Sequence, residues 1–359
     1  MKRIRVNASR EYDILIEKGL LDTAGKLIAE NTALSPSRRA LIVIDDNVNA
    51  LYADRLKKAL SDVGYKNIVK YVFANGEASK TPEVLLELCR VLAREHFTRS
   101  DFLIALGGGV VGDLCGFAAS IYERGIEFVQ IPTTLLSCVD SSVGGKTAVD
   151  LPEGKNLIGT FYQPSLVICD PSLLDSLPRD IYRDGYAEVI KYGVILDGEF
   201  FERLSTDERP DICDVIARSV EIKRDIVSAD ERDRGLRGLL NFGHTLGHGI
   251  ELHTAFKYSH GAAVAVGMVL ASRIAALLNI CAEDIPNRVE CLLKRYGFDT
   301  KCPISANELF DAALSDKKRS GKSLTLILPK AIGDACFYEV DLTCGKLESL
   351  IEEAIKWKQ

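Results

Sequence analysis

The sequence predicts an α/β fold in two parts: a parallel sheet covered by helices on both faces, then a mainly α-helical half. Three observations carry this. Short, wholly apolar, β-branched runs alternate with helix-period segments through the first half. A glycine cluster, Gly107-Gly108-Gly109, follows one of those runs directly. From about Pro171 onward long helical periodicities take over. At 359 residues the chain suits two domains of roughly 150 residues or more. The change of texture divides it into residues 1–171 and 172–359.

Each element has its own signal. Arg3 to Val6 and Tyr12 to Glu17 form an outer hairpin. Ala40 to Ile44 (ALIVI) is a buried strand that ends in Asp45-Asp46-Asn47, and a helical pattern runs on to Leu60. Asn67 to Phe73 is the next strand. Thr81-Pro82-Glu83 reads as an N-cap, a first-position proline and an acidic first turn, opening a helix to about Glu95. Asp101 to Leu106 and Glu127 to Ile131 are further strands. Helices are expected over Tyr182 to Leu196, Ile212 to Ala229, Leu239 to His253 and Gly261 to Leu278. Leu324 to Leu328 and Cys336 to Val340 are late strands. No internal repeat or low-complexity segment occurs.

Composition excludes several classes. Hydrophobic residues at 47% and charged residues at 27% describe a chain with a large core and a charged surface, not a disordered one. The net charge of −6, with no basic stripe, argues against a nucleic-acid partner. An anionic substrate must therefore be held by locally placed Lys and Arg. The first residues, MKRIRVNASREYD, lack the apolar core of a signal peptide, and the longest apolar stretch, Ala262 to Ala271, is too short for a membrane span. The ten cysteines are scattered without C-x-x-C spacing, which suits free buried thiols in a reducing cytoplasm.

Gly107, Gly109 and Gly112 satisfy G-x-G-x-x-G between a strand and a helix, the mark of a Rossmann-like domain. Without Cβ atoms, the loop's N–H groups and the helix N-terminus can touch a pyrophosphate. A glycine turn also has purely structural uses, so the motif alone is weak. The expected ribose-binding acid about 20 residues downstream is absent; Glu123 and Glu127 are misplaced for it. Asp45 or Asp46, ending an upstream strand, must serve, which implies an unusual strand order. Asn75-Gly76-Glu77, with Lys80 just after, closes another strand end and could hold a ribose.

Four of the five histidines fall between residues 244 and 260. His244 and His248 stand four apart, on one helical face. His260 opens the next helix, and Glu188 lies on an earlier one. Two histidines and a carboxylate suit Zn²⁺ or a similar ion with one open position. Spacing does not say which of His244, His248 and His253 join His260. Basic residues recur beside glycine or in apolar surroundings: Arg124, Lys146, Lys155, Lys191, Lys223 and Arg237. Glycine-flanked lysines can reach into a cleft, and a substrate carrying phosphate and carboxylate would need several such groups.

Seven motifs, in order, resemble the 3-dehydroquinate synthase family within the sugar phosphate cyclases: GGGVVGD, QIPTTLLSCVDSSVGGKTAV, GKNLIGTFYQP, GYAEVIKYG, GLRGLLNFGHTLGH, HGAAVAVGM and DKKRSGK. The resemblance implies an active site in the cleft between two domains. It implies conversion of 3-deoxy-D-arabino-heptulosonate 7-phosphate to 3-dehydroquinate and phosphate in the shikimate pathway of aromatic amino acid biosynthesis. The implied steps are transient oxidation of an alcohol, phosphate elimination, reduction, ring opening and aldol closure. NAD and a divalent metal, Zn or Co, are the implied cofactors, with a homodimer in the cytoplasm and no membrane or nucleic-acid partner. By motif, Glu188, His244 and His260 resemble the metal ligands. Arg124, Lys146 and Asn156, helped by Lys317 or Lys318, resemble the phosphate set. Lys191, Lys223, Arg237 and Asn241 resemble the carboxylate and ring-hydroxyl set, with Asp140 and His248 in a substrate or proton-relay role. The NAD contacts implied are Asp45, Asn47, Asn75, Gly76, Glu77 and Lys80; the loop Gly109, Val110, Val111, Gly112 and Asp113; and Thr133, Thr134, Lys146, Lys155 and Ser176.

Ala262, Cys138 and Asp150 depart from the usual family pattern, and none is an implied ligand or phosphate contact. A metal-dependent polyol dehydrogenase would share the NAD and metal signals but release NADH, and would not need the phosphate set. Sister cyclases such as 2-deoxy-scyllo-inosose synthase differ in the substrate pocket. Here Asn156, Lys191, Lys223, Arg237 and Asn241 keep the dehydroquinate-type identities. A non-catalytic relative would have a broken metal triad, and the triad is intact.

Overall fold

The computed structural model describes residues 1–254, 257–315, 319–320, 323–343 and 345–357. In chain order the elements are β1 (Lys2–Val6), β2 (Tyr12–Ile16), α1 (Ala24–Asn31), β3 (Ala40–Asp45), α2 (Asp46–Ser61), β4 (Ile68–Phe73), α3 (Pro82–Arg94), β5 (Phe102–Gly107) and α4 (Gly109–Ile121). Then come β6 (Glu127–Pro132), β7 (Lys146–Leu151), β8 (Gly154–Phe161), β9 (Leu166–Cys169), α5 (Arg179–Leu196), α6 (Gly198–Thr206) and α7 (Ile212–Ala229). The chain ends with α8 (His244–His253), α9 (His260–Leu277), α10 (Ile285–Arg295), α11 (Ala306–Ser315), β10 (Arg319–Ser320), β11 (Ser323–Ala331), β12 (Asp334–Asp341) and α12 (Lys346–Ile355).

Two compact units result: Met1–Pro178 with Ile212–Arg232, and Arg179–Asp211 with Asp233–Gln359. The expected fold class is present, an α/β unit and a mainly helical one. Helix α7, which lies in the second half of the sequence, belongs to the α/β unit.

In the first unit the sheet order is β1-β2-β9-β6-β5-β3-β4, with β1 antiparallel and the other pairs parallel. Period-two alternation gives the central strands β3 and β5, buried throughout, two apolar faces. Ala40, Ile42 and Ile44 of β3 join Phe102, Ile104 and Leu106 of β5 in one core layer, which α1 and α2 cover. Leu41 and Val43 join Leu103 and Ala105 in the opposite layer, beneath α3 and α4. Asp45 caps α2 by accepting from the Val48 N–H at 2.9 Å, and Thr81 caps α3 with Pro82 at its first turn, as the sequence signals require. The neighbour of β5 is the upstream strand β3, so Asp45 ends the strand beside the glycine loop. This is the unusual strand order that the missing downstream acid implied. The hairpin β7–β8, absent from the sequence reading, forms a separate two-stranded sheet.

In the second unit α9 is almost wholly buried and is the central helix. It is long and apolar enough to cross a membrane, yet 83% of it is buried within the protein, which marks a core helix. The expected single helix over Leu239 to His253 is instead two pieces. A 3₁₀ turn, Leu236–Asn241, ends before Gly243, whose φ of 77° is left-handed, and α8 begins only at His244. The break lets α8 lie close on α9. A Cβ on Gly267 would sit 2.0 Å from the Gly243 carbonyl oxygen. Described cysteines are all free, but only Cys115, Cys138 and Cys169 are fully buried and Cys291 is exposed, a correction to the expectation of buried thiols.

Candidate active site

In the first unit the glycine loop sits where β5 hands over to α4. Gly108 caps α4, and a Cβ there would meet Thr134 Cγ2 at 3.1 Å; one on Gly109 would meet Ser141 Oγ at 3.2 Å. Side chains at these positions would crowd Thr134 and Ser141, so the bare backbone keeps the N–H groups at the start of α4 uncovered, where a helix N-terminus favours an anion. Thr133 donates its N–H to the Gly107 carbonyl at 3.0 Å, and Thr134 shares a hydroxyl pair with Ser137 at 2.8 Å, which together fix the cradle's far wall.

Lys80 organises the next strand end. It is buried, 2.5 Å from Asp113 Oδ2, and donates to Asn156 Oδ1 at 2.5 Å. Its backbone carbonyl accepts from Asp150, whose side chain accepts from the Asn156 N–H. Burial opposes the ammonium charge, but Asp113 and then Glu77 outweigh it and raise the pKa. Burial pushes Asp113 up to about 6, with Lys80 pulling the other way. Asp46 holds Asn75 by its N–H at 3.0 Å and its side-chain amide at 2.8 Å. Glu77 lies 4.0 Å from Lys155, while Gly76 turns the chain at φ 100°. Asn47 is exposed on the first turn of α2, and Val110 and Val111 lie in the first turn of α4. Ser176 accepts from the Tyr52 hydroxyl at 2.7 Å.

Of the basic set in this unit, Lys223 on α7 reaches Asp140, donating to its carbonyl at 2.7 Å and its carboxylate at 2.8 Å. Arg124 and Lys146 are exposed, Arg124 with a left-handed φ of 64°.

In the second unit Glu188 of α5, His244 of α8 and His260 of α9 bring three ligand atoms within 4.8 Å of one another. The Glu188 Oε1 atom lies 3.3 Å from His244 Nε2 and 3.7 Å from His260 Nε2, and the two rings are 5.3 Å apart. Both Glu188 oxygens are buried without a well-formed hydrogen bond, although Lys191 abuts Oε2. Burial alone would push this carboxyl up; Lys191 and His244 outweigh it and hold it well below the usual range. Burial holds His244 below its ordinary value, against the opposing pull of Glu188. Its Nδ1 faces the Phe242 carbonyl at 3.1 Å, which leaves the Nε2 lone pair for an ion. Burial opposes a charge on His260, but Glu188 and Glu251 raise it to about 10. An orphaned carboxylate and two Nε2 atoms turned toward it fit a divalent cation.

Both His244 and His248 lie near His260: His244 shares a group of ligand atoms with Glu188 and His260, and His248 shares a second with Glu251 and His260. His253 is exposed at the end of α8, and His248 is exposed with its ring 5.5 Å from His244 and 6.1 Å from His260. Lys191 and Arg237 are buried, and Asn241 donates to the Gly238 carbonyl at 2.9 Å. Lys317 and Lys318 lie outside the described residues. Sequence reasoning missed Glu251, whose Oε2 is 3.5 Å from His260 Nδ1. The signal was present: His244, His248 and Glu251 are spaced i, i+4, i+7 on one helix face.

A backbone cradle for a dinucleotide on one unit and a three-ligand pocket for a divalent ion on the other are the equipment of a cofactor- and metal-dependent enzyme. Family models described as 3-dehydroquinate synthase N-terminal and C-terminal match residues 70–184 and 185–319. The 3-dehydroquinate synthase of Caulobacter vibrioides is 45% identical over 96% of each chain. The chain belongs to the 3-dehydroquinate synthase family. Among solved structures, 2-epi-5-epi-valiolone synthase from Streptomyces hygroscopicus subsp. jinggangensis 5008, with NAD⁺ and Zn²⁺ bound, aligns at TM-score 0.83 and 28% identity over 99% of this chain and 100% of that one. The 2-deoxy-scyllo-inosose synthase complexed with carbaglucose-6-phosphate, NAD⁺ and Co²⁺ aligns at TM-score 0.87 over the whole of both chains; at 24% identity it speaks for the fold.

Proposed function

We infer that this chain is an enzyme that converts 3-deoxy-D-arabino-heptulosonate 7-phosphate to 3-dehydroquinate and phosphate, using NAD⁺ and zinc or cobalt. The observation that carries the reading is the convergence of Glu188, His244 and His260 in a chain whose family match spans both halves. When bound, NAD⁺ takes and returns a hydride and the ion polarises the hydroxyl that is oxidised.

Glu188 Oε1 and the Nε2 atoms of His244 and His260 would hold the ion. The loop Gly109 to Gly112 would take the pyrophosphate at the start of α4. Asp45, Asn47, Asn75, Gly76, Glu77, Lys80, Asp113, Thr133, Thr134, Lys155 and Ser176 would orient the rest of the dinucleotide. Arg124, Lys146 and Asn156 bind the phosphate, with Lys317 assisting. Lys191, Lys223, Arg237 and Asn241 bind the carboxylate and ring hydroxyls; Asp140 orients Lys223, and His248 carries protons at the rim. Arg and Lys suit these tasks because charge-assisted hydrogen bonds to anions are about twice as strong as neutral ones. We place the enzyme in the cytoplasm as a homodimer, an oligomeric state that light scattering checks.

The purified protein, given catalytic NAD⁺, a divalent metal and the heptulosonate phosphate, is expected to release stoichiometric phosphate without accumulating NADH. Accumulating NADH with no phosphate would show a dehydrogenase instead. His260→Ala is expected to abolish metal-dependent turnover in a protein that still folds, and unchanged turnover would remove His260 from the ligand set.

A pH prediction follows from Lys80. As pH falls through about 6, Asp113 takes up a proton and the Lys80 ion pair loses its negative partner. NAD⁺ affinity, measured by titration calorimetry, is expected to weaken by up to about tenfold between pH 7 and pH 5, and Asp113→Asn to flatten that profile. Global unfolding does not mimic this. A carboxyl whose folded value lies above its ordinary 3.8 stabilises the fold most fully below that value and loses that contribution as pH rises to about 6. Equal parent affinity at both pH values would remove the Lys80–Asp113 pair from the binding site.

A further inference from the structure

We propose that Glu251 is a positioning residue for the metal pocket: it accepts the Nδ1 proton of His260 and so presents the Nε2 lone pair to the ion. The proposal rests on the metal reading above. Glu251 is 3% exposed on α8, and its Oε2 lies 3.5 Å from His260 Nδ1. The opposite ring nitrogen, Nε2, is 3.7 Å from Glu188 Oε1. A neutral imidazole carries one N–H, so a carboxylate at Nδ1 selects the tautomer with a bare Nε2 and makes that nitrogen a stronger donor to metal.

Two sequence neighbours of His260 do not take this task. Ala262, in the first turn of α9, offers no polar side chain, and the Ser259 hydroxyl donates to Asp184 at 2.8 Å. The partner ligand His244 is oriented by a neutral carbonyl, that of Phe242. His260 is thus the ligand steered by a carboxylate, and the one whose ring orientation depends on a side chain that mutation can remove. Glu251 also lies with His248 and His260 in a second group whose ligand atoms fall within 4.8 Å. A second ion there would require His260 to lose both ring protons and bridge two metals, so acceptance of the Nδ1 proton is the reading the chemistry favours.

The test is zinc affinity, read by competition with a chromophoric chelator on metal-stripped, full-length protein. The parent is expected to bind one Zn²⁺ per chain. Glu251→Ala should bind it 10–100-fold more weakly, by roughly the usual cost of removing such an outer partner. Glu251→Gln should lose less, because its amide oxygen still accepts from Nδ1. A folded Glu251→Ala with affinity within twofold of the parent overturns the proposal, and if that variant fails to fold, Glu251→Leu, which cannot accept from Nδ1, decides by the same twofold margin. Two zinc ions in the parent, with Glu251→Ala and His248→Ala each losing one, would overturn it in favour of a second ion. Zinc binding absent from the parent, or undiminished in His260→Ala, would sink the metal reading itself.

Discussion

Glu188→Gln is expected to emerge from purification without bound metal and with turnover reduced by about 10³-fold or more. The amide keeps the volume of the side chain but removes the anion on which the pocket is built. Charge stabilisation by a catalytic ion is worth several kcal/mol, and each 1.4 kcal/mol is about tenfold in rate. The same change strands Lys191, which is 2% exposed and abuts the Glu188 carboxylate. Removing one partner of a buried ion pair costs about 3–5 kcal/mol, so the metal-free variant should also melt at lower temperature than the metal-free parent. Metal analysis, phosphate release and thermal melting read the three effects separately. A variant that retained stoichiometric zinc and parental turnover would show that Glu188 is structural only.

Gly267→Ala should disturb both the fold and the site. A Cβ at this position would lie 2.0 Å from the Gly243 carbonyl oxygen and 2.9 Å from the Gly247 nitrogen, all of them backbone. No side chain can rotate away, so α8 and α9 must separate. Overpacking of this kind costs about 1–3 kcal/mol, which in a chain of this size lowers the melting temperature by roughly 1–4 °C. Separation also carries His244 away from His260, so zinc affinity should fall even at temperatures where the protein stays folded. A melting temperature and zinc affinity equal to the parent's would show that the two helices tolerate a wider spacing at no cost.

The central strands β3 and β5 were legible because each is apolar on both faces. ALIVI and DFLIAL need no partner to be read as buried strands, and Thr81-Pro82-Glu83 marks a helix start by capping chemistry alone. The β7–β8 hairpin escaped because β8 is largely exposed, with Leu157 and Ile158 among its solvent-facing residues, and so has no one-sided apolar pattern. The strand β9 is four residues long, too short to show a period. The pattern from Leu239 to His253 reads as one helix because Gly243, like Gly247 and Gly249 further along, interrupts periodicity very little. Only its packing against α9 shows that Gly243 adopts a left-handed turn there.

Residue types and local order are sequence properties, and they were sufficient for the fold class, the glycine loop, the family and the kinds of ligand present. Convergence is a different quantity. That His244 rather than His253 meets His260, that Glu251 stands behind His260, and that α7 carries Lys223 to Asp140 inside the α/β unit all depend on how separate helices pack. Helical spacing says which side chains share a face. The distance between two faces is set by the small residues at their crossing, and that distance decides which side chains can share one ion.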